Sequence, residues 1–318
     1  MHTAISGVAH YRAADDKACL EMIRQQFRQM PSPPVAGETK PPKLEPAGLY
    51  DVLPADHRLP YRVEDLLDRI LDGSDIIEFQ PDHAPEFLCA SATLSGRHIA
   101  VIANRRGFLK TKTGPRIGGI VYPESARKVA YFVENAERHR TPILYLQDVS
   151  GFMVGVEAET AGIIRAGAEM VETMACATVP KIVLTINHAS GAGYYAMAGQ
   201  GFDPNFIFSW PSARIGVKEG DSAVQAVYGP ELEKFKTAAQ PIPAELQQRI
   251  DQTRADYDRW LDAKYAAARG HCDGIIDPLA TRKVLSLAFD AACFSARTEH
   301  LPINLLAFDP QARTPVSS

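Results

Sequence analysis

The sequence predicts an α/β fold built from short buried strands and amphipathic helices. Apolar runs of strand length alternate with longer stretches in which apolar residues recur at steps of three and four, and this alternation is typical of the class. An apolar fraction of 46% supplies enough side chains for a sizeable core. The predicted strands cover residues 99–103, 143–147, 182–186 and 206–210. The predicted helices cover residues 63–71, 124–139, 157–177, 191–199 and 243–269.

The first 60 residues do not follow this alternation. A helix is predicted after Asp15 or Asp16, either of which can cap its N-terminus, and it ends at Pro31. Residues 31–60 then hold eight prolines and almost no periodic apolar pattern, which predicts an extended linker. The first helix therefore need not pack on the unit that follows. Its apolar stripe consists of Leu20, Ile23, Phe27 and Met30.

Composition and charge argue against several classes of function. The 34 Lys and Arg residues are balanced by 38 Asp and Glu, and no basic run is present, which disfavours a nucleic-acid partner. No stretch approaches the roughly 18 apolar residues of a membrane span, and the first residues lack the apolar core of a secretion signal. The five cysteines are scattered and never form a CxxC pair. This pattern favours a reducing, cytoplasmic location over a disulfide framework or a zinc site.

Glycine-rich turns follow two of the predicted strands, at residues 147–152 (QDVSGF) and 188–195 (HASGAGYY). Backbone amides at the start of a helix carry partial positive charge and can bind a developing oxyanion without any side chain. Glycine lets a substrate approach such amides closely. The alternative interpretation is that Gly191 and Gly193 only permit tight packing of the strand on the helix.

Two competing motifs occupy the second turn. The stretch from Gly191 to Ala196 matches the G-x-G-x-x-A pattern of dinucleotide folds, but three residues separate it from the predicted strand and no acid follows at the expected distance. Ser190 stands in A-S-G rather than G-x-S-x-G, and His188 is too near in sequence to complete a triad. We expect His188 to pack or hydrogen-bond. The scattered carboxylates reveal neither an acid/base pair nor a metal site, so a backbone oxyanion hole is the best chemical signal.

Separate blocks of this sequence resemble one known family, the carboxyltransferase subunits of biotin-dependent acyl-CoA carboxylases and decarboxylases. The family is a branch of the crotonase-like superfamily. Most blocks are similar to the methylcrotonyl-CoA type, and residues 117–171 also resemble glutaconyl-CoA decarboxylase α subunits, so both branches remain open. In chain order the blocks are 147–155 (QDVSGFMVG), 157–168 (EAETAGIIRAGA), 179–181 (VPK), 190–193 (SGAG), 210–215 (WPSARI) and 269–278 (RGHCDGIIDP).

The resemblance implies a crotonase-like ββα spiral and a particular domain arrangement. The family has two related lobes, and residues 61–318 match the second, whereas residues 1–30 resemble the helical end of the first. The proline-rich residues 31–60 join these two parts. The implied partner is a separate first-lobe subunit, because the family's active site lies between the lobes. A homo- or hetero-oligomer is expected.

The implied function is carboxyl transfer between biotin and a CoA thioester. Biotin would be carried by a separate biotin carboxyl carrier protein or biotin carboxylase subunit, since the chain has no A-M-K-M acceptor motif. The reaction passes through a thioester enolate and a ureido oxyanion, which paired amides can stabilise. Two other functions stay open: a biotin-independent crotonase-type decarboxylase or thioester hydrolase, and a non-catalytic structural subunit.

The resemblance also implies specific site residues. The amides of Ala192 and Gly193 would form the biotin-side oxyanion hole, and no metal is implied. Two positions depart from common relatives: Tyr195 replaces an acid or amide, and Lys218 replaces a methionine. The residues expected to line the substrate and biotin site are Gly151, Phe152, Gly191 and Tyr194.

Overall fold

A central sheet of eight strands organises the described part of this computed structural model, which comprises residues 2–28, 37–73, 76–111 and 114–299. Two small two-stranded sheets, β4 with β5 and β6 with β8, accompany it. The strands are β1 (Ile77–Phe79), β2 (Phe87–Leu94), β3 (Arg97–Asn104), β4 (Phe108–Thr111), β5 (Gly114–Ile117), β6 (Ile120–Val121), β7 (Ile143–Val149), β8 (Gly151–Phe152), β9 (Lys181–Ser190), β10 (Phe206–Ser209), β11 (Arg214–Gly216) and β12 (Gly274–Ile275).

The sheet is antiparallel at one side and parallel through its centre. Its order is β1-β2-β3-β7-β9-β10-β12, with β11 paired to the far end of β9. Pairing is parallel from β3 onward, and β1 to β3 form an antiparallel group. The β2–β3 hairpin turns at Ser95 and Gly96, which both have positive φ, and the carboxylate of Asp72 accepts both turn amides at 2.7 and 2.9 Å.

Helices cover both faces of the sheet. The strands that cross the parallel centre are therefore buried on both sides, and every residue of β7 and β9 is buried. The helices are α1 (Asp16–Arg28), α2 (Leu49–Val52), α3 (Val63–Ile70), α4 (Pro123–Arg138), α5 (Val156–Thr160), α6 (Ile163–Cys176), α7 (Gly191–Ala196), α8 (Gly220–Thr237), α9 (Ala244–Leu261), α10 (Ala263–Ala267) and α11 (Thr281–Glu299).

Alternate side chains of β7 enter two different cores. Tyr145 joins the core that α4 and α6 cover, which includes Phe132 and Met170. Leu144 and Leu146 face the opposite core, which α3 and α11 cover. The predicted α/β class is confirmed, and all four predicted strands exist with small changes in their ends. Strand β2 and helices α8 and α11 were not predicted.

The helical tail is present and leaves apolar side chains in solvent. Helix α1 begins after Asp15, whose carboxylate accepts the amide of Ala18 at 2.8 Å, so Asp15 is the cap. Leu20 and Ile23 are 53% and 46% exposed. The predicted helix end at Met30 and Pro31 lies outside the described residues.

The chain before α1, for which the sequence made no prediction, packs on the folded unit. The ring of His10 lies 5.1 Å from that of Phe79 and 5.2 Å from that of Tyr131, measured between centroids. The side chain of Gln80 donates to the carbonyl of Gly7 at 2.9 Å. These contacts anchor the tail upstream of its helix.

The proline-rich segment is not extended throughout. Its residues 31–36 lie outside the described ranges, but Pro46–Gly48 forms a 3₁₀ turn that leads directly into α2. The amide of Leu44 donates to the carbonyl of Asp68 at 3.0 Å, and Gly73 donates to Pro41 at 2.8 Å. Proline has no backbone N–H to donate, but other backbone groups of this segment form hydrogen bonds with the folded unit.

Two long predicted helices are each broken once. The helix expected over 157–177 is interrupted at Gly162, whose φ of 86° is left-handed. The helix expected over 243–269 is interrupted at Asp262, where ψ is 135° and the side chain accepts the amide of Lys264 at 2.7 Å. Asp262 thereby caps a new short helix. Among the described residues, no helix is both long and apolar enough to cross a membrane.

Candidate functional site

The second glycine turn follows its strand without a gap. Strand β9 continues through His188 to Ser190 because β11 pairs beside this end of it, and α7 starts at the next residue. The expected three-residue separation between strand and glycine was therefore wrong. Gly191 has a φ of 53°, and a Cβ there would lie 3.1 Å from the carbonyl oxygen of Val217.

The two predicted glycine turns meet in space. A Cβ added to Gly193 would lie 2.6 Å from Cγ2 of Val149 and 3.1 Å from the Cα of Gly151. Both neighbours are held by the central sheet and β8, so position 193 has no room for a side chain. Gly151 has a φ of 139°, and apart from its own chain neighbours the described part of the chain places no atom within 4 Å of a Cβ built there. Tight packing thus accounts for Gly193, and the turn at Gly151 borders open space.

Helix α7 presents amides at this turn. The first amides of a helix have no intrahelical acceptor, and Ser190 gives no side-chain cap. Ala192 is exposed, whereas Gly193 is buried. Ala192, next to the packed glycine, is therefore an exposed residue whose amide has no acceptor within the helix.

Phe152 and Tyr194 are held mainly by packing. The ring of Phe152 lies against α6, where a Cβ added to Gly167 would come within 2.9 Å of its Cε1. The hydroxyl of Tyr194 accepts the backbone amide of Gln200 at 2.9 Å, and burial raises its pKa. The ring of Tyr195 lies 5.3 Å from that of Tyr194 and is exposed. Phe152, Tyr194 and Tyr195 therefore pack around the turn at residues 188–195.

Asp148 is the residue that sequence reasoning missed. Its side chain is fully buried. The carboxylate accepts a hydrogen bond from the hydroxyl of Tyr61 at 2.7 Å and forms an ion pair with Nε of Arg106 at 3.3 Å. It also accepts the backbone amide of His188 at 3.1 Å. Burial and the neighbouring carboxylate both raise the pKa of Tyr61. An acid near the end of a mostly apolar strand was the available signal, because a buried charge requires partners.

Asp148 connects the ends of the two central strands. Its backbone amide donates to Oδ1 of Asn104 at 3.0 Å, and Arg106, which contacts its carboxylate, also donates to Oγ of Ser150 at 2.9 Å. The same carboxylate reaches β9 through His188. This network fixes both glycine turns relative to each other.

His188 hydrogen-bonds, as expected, within a chain of three ionisable side chains. Its Nδ1 lies 3.0 Å from Oε1 of Glu219, and its Nε2 lies 3.0 Å from Nδ1 of His57. Burial, followed by the charges of Arg214 and His188, lowers the pKa of His57. Burial favours the neutral acid at Glu219, but hydrogen bonds from His188 and Arg214 outweigh it and lower the pKa to about 2.

Comparison with known proteins identifies the family. The profile of the family described as "Carboxyl transferase domain" matches residues 1–303. The chain is 34% identical over 313 residues to the biotin-dependent 3-methylcrotonyl-coenzyme A carboxylase beta1 subunit of Mycobacterium tuberculosis, covering 97% of the chain and 56% of that protein. The chain belongs to the carboxyl transferase family.

Other carboxyl transferase relatives extend the likeness to decarboxylases. The chain is 28% identical over 306 residues to the methylmalonyl-CoA decarboxylase subunit alpha of Propionigenium modestum, covering 95% of the chain and 56% of the relative. The chain therefore spans about half the length of these relatives.

Solved carboxyl transferase structures confirm the crotonase-like fold. The beta subunit of geranyl-CoA carboxylase from P. aeruginosa matches with a TM-score of 0.71 at 30% identity, covering 93% of this chain and 54% of that one. A transcarboxylase 12S hexamer with methylmalonyl-coenzyme A bound matches with a TM-score of 0.78 at 28% identity, covering 92% of this chain and 54% of that one. The ββα architecture predicted from the resemblance is therefore correct.

Proposed function

We propose that this chain is the second-lobe component of a biotin-dependent acyl-CoA carboxyltransferase. It moves a carboxyl group between biotin on a separate carrier protein and the α-carbon of a CoA thioester. The observation that carries the proposal is the meeting of the two glycine turns, where Gly193 packs against Gly151 and Ala192 is an exposed residue at the start of α7. Family membership supports the reaction class, and the turn is where we propose that the reaction takes place.

The amides of Ala192 and Gly193 are the proposed catalytic groups. Carboxyl transfer places negative charge on an oxygen of the biotin ring system, and donors already fixed in position stabilise such charge without reorganising. Biotin on its carrier would either donate or accept the carboxyl group that is transferred. Gly191 shapes the start of the helix, and Gly151 leaves space in front of it. Phe152 and Tyr194 position the turn through their packing.

The partner that we propose is a first-lobe carboxyltransferase subunit. The chain covers about half of its relatives, and α1 presents Leu20 and Ile23 to solvent, where a companion lobe would cover them. A biotin carboxyl carrier protein or biotin carboxylase subunit would deliver the carboxyl group in a hetero-oligomer. Within the described ranges no disulfide joins the five cysteines, which supports our proposal of a cytoplasmic location.

Reconstitution tests this function directly. The chain would be mixed with a separately produced first lobe of a relative, free biocytin as carboxyl acceptor and a panel of carboxylated CoA thioesters. Chromatography would follow loss of the carboxyl group from each thioester. We expect turnover that requires both polypeptides and biocytin. Turnover without biocytin would instead favour a biotin-independent decarboxylase.

Light scattering after size-exclusion chromatography tests the partner. The full chain and the first lobe should elute as one complex. Leu20→Ser with Ile23→Ser should weaken that complex at least tenfold, because the exposed stripe would lose its apolar contacts. Leu287→Ser, at a 69% exposed leucine on α11, is the matched control. A monomeric chain with full carboxyltransferase activity would contradict the proposed assembly.

A further inference from the structure

A cluster of two imidazoles and one carboxylate lies beside the turn, and the proposed carboxyl transfer does not use it. His57 comes from the proline-rich segment, His188 from β9, and Glu219 from the residue that caps α8. One ligand atom from each residue can be chosen so that all three lie within 4.8 Å of one another. We define these three residues as the His-His-Glu cluster.

We propose that the His-His-Glu cluster binds a divalent transition-metal ion of the zinc class. Two imidazole nitrogens and one carboxylate oxygen form a ligand set that suits such ions, and three protein ligands leave a fourth position for water. Hard cations such as Mg²⁺ and Ca²⁺ prefer oxygen ligands, so the two histidines favour the zinc class over them.

Coordination of one ion requires a side chain of the cluster to rotate. His188 contacts Glu219 through Nδ1 and His57 through Nε2, each at 3.0 Å, and a single ion can bind only one of these two ring nitrogens. One ligand atom from each residue can nevertheless be chosen so that all three lie within 4.8 Å of one another. In a tetrahedral site with bonds of about 2.0–2.2 Å, neighbouring ligand atoms lie roughly 3.3–3.6 Å apart, so the partner on the unused side of the His188 ring would turn toward the ion.

Groups outside the cluster hold its members in place. The side chain of Asn187 donates to the carbonyl of His57 at 2.9 Å, which fastens the loop that carries this histidine. Arg214 donates to Oε2 of Glu219 at 2.8 Å and leaves Oε1 directed at His188. Hydrogen bonds of this kind orient metal ligands in proteins.

The positive charge of Arg214 opposes cation binding, but it is partly balanced. The same guanidinium nitrogen lies 3.0 Å from a carboxylate oxygen of Asp258. Arg214 therefore contacts two carboxylates, those of Glu219 and Asp258. The same two carboxylates would offset much of the repulsion between Arg214 and a metal ion bound at the cluster, where both imidazoles would be neutral.

An ion at this place would join three segments that are distant in sequence. It would tie the proline-rich segment to β9 and to the start of α8. The turn at Gly191 touches the carbonyl of Val217, two residues before Glu219, so the same ion would steady the loop against which α7 begins. We therefore expect binding to stabilise the folded chain.

Cobalt titration tests the proposal without any activity assay. The full chain, free of affinity tags and stripped with a chelator, would be titrated with Co²⁺ and followed by visible absorption, and Zn²⁺ would be added to displace the cobalt. One equivalent should bind with four-coordinate bands. At about 100 times the dissociation constant, Zn²⁺ should raise the thermal midpoint by roughly 3–6 °C.

Three variants locate the ion. His57→Ala and Glu219→Gln should each weaken Co²⁺ binding at least a hundredfold while the chain stays folded by circular dichroism. His271→Ala is the matched control, because His271 is exposed, is hydrogen-bonded to Gln200 and lies outside the cluster, and it should leave binding unchanged. No stoichiometric binding by the wild-type chain, or binding that survives in His57→Ala and Glu219→Gln, would overturn the proposal. In the first case the cluster would be only a chain of hydrogen bonds.

Discussion

Replacing Gly193 separates its packing role from its proposed donor role. Gly193→Ala keeps the backbone amide but adds a Cβ that would lie 2.6 Å from Cγ2 of Val149 and 3.2 Å from the amide nitrogen of Gly151. Val149 is fully buried on the central sheet, so neither neighbour can move far. We expect this variant to lose about 1–3 kcal/mol of unfolding free energy through overpacking.

Gly193→Pro introduces a similar packing strain and also removes the amide hydrogen of residue 193. Removing one donor from an oxyanion hole typically lowers turnover by roughly 10²–10³, which corresponds to about 2.7–4 kcal/mol of transition-state stabilisation. Proline is tolerated in the first turn of a helix, so the backbone path can persist. We therefore expect turnover of Gly193→Pro to be at least about a hundredfold below that of Gly193→Ala.

The assay is biocytin-dependent decarboxylation by the reconstituted lobes, with thermal midpoint and complex formation measured for each variant. Ala192→Pro provides a second route, because Ala192 is exposed and the substitution meets little packed structure. Ala192→Ser, which keeps the amide, is its control. Folded, assembled Gly193→Pro and Ala192→Pro variants that turn over as fast as their controls would refute the amide assignment.

Buried and capping contacts elsewhere in the lobe give three further expected outcomes, all read by urea titration. Lys128→Met should cost about 3–5 kcal/mol, because the buried lysine ammonium lies 2.8–3.3 Å from four carbonyl oxygens and its three N–H groups donate among them. A cost below 1 kcal/mol would contradict this. Glu137→Gln should cost about 1–2 kcal/mol at pH 7. Burial favours the neutral acid, but hydrogen bonds from Thr178 and Val179 hold the pKa of Glu137 below its ordinary value, so the difference from wild type should shrink as pH falls from 4.5 through that lowered pKa. Equal differences at pH 7 and pH 4 would show that the carboxylate is not stabilised there. Tyr61→Phe should cost about 1–3 kcal/mol by removing a donor from a buried carboxylate, and an unchanged midpoint would show that water replaces the hydroxyl.

The central strands could be predicted because strands that are buried on both faces are rich in apolar residues. Strands β7 and β9 are buried on both faces, and their predicted parts, residues 143–147 (ILYLQ) and 182–186 (IVLTI), are mostly apolar. Strand β2 was missed because Ser91 and Thr93 interrupt its apolar pattern. The signal that could have found it was the Ser95-Gly96 pair, which forms the hairpin turn to β3.

The breaks in the two long predicted helices had local causes that periodicity does not detect. A left-handed glycine ended one regular stretch, and an aspartate cap began a new helix in the other. Buried apolar residues continue on both sides of each break, with Ala158 and Ile163 around the first and Leu261 and Ala263 around the second. Turn and cap residues therefore needed to be weighed against the periodic pattern.

The candidate site was only partly predictable for a different reason. Both glycine turns were recognised, because their residues are contiguous in sequence. The contact between Gly193 and Gly151 and the His-His-Glu cluster join residues that are far apart along the chain. The strand order of the sheet brings β7, β9 and the start of α8 together. That order cannot be predicted from the spacing of residues along the sequence. Asp148 illustrates the intermediate case, since its type and place predicted partners but not their identity.

The central sheet ends in very short strands on both sides, and this limits how the molecule can associate. Strand β1 has three residues and β12 has two, so each rim exposes few unpaired backbone groups. A strand from another molecule could therefore form only a few backbone hydrogen bonds with either edge. Many proteins use short edge strands to avoid uncontrolled polymerisation. Extension of the central sheet is therefore disfavoured as a way for this chain to associate, and side chains on helices and loops are the surfaces left for contacts with other molecules.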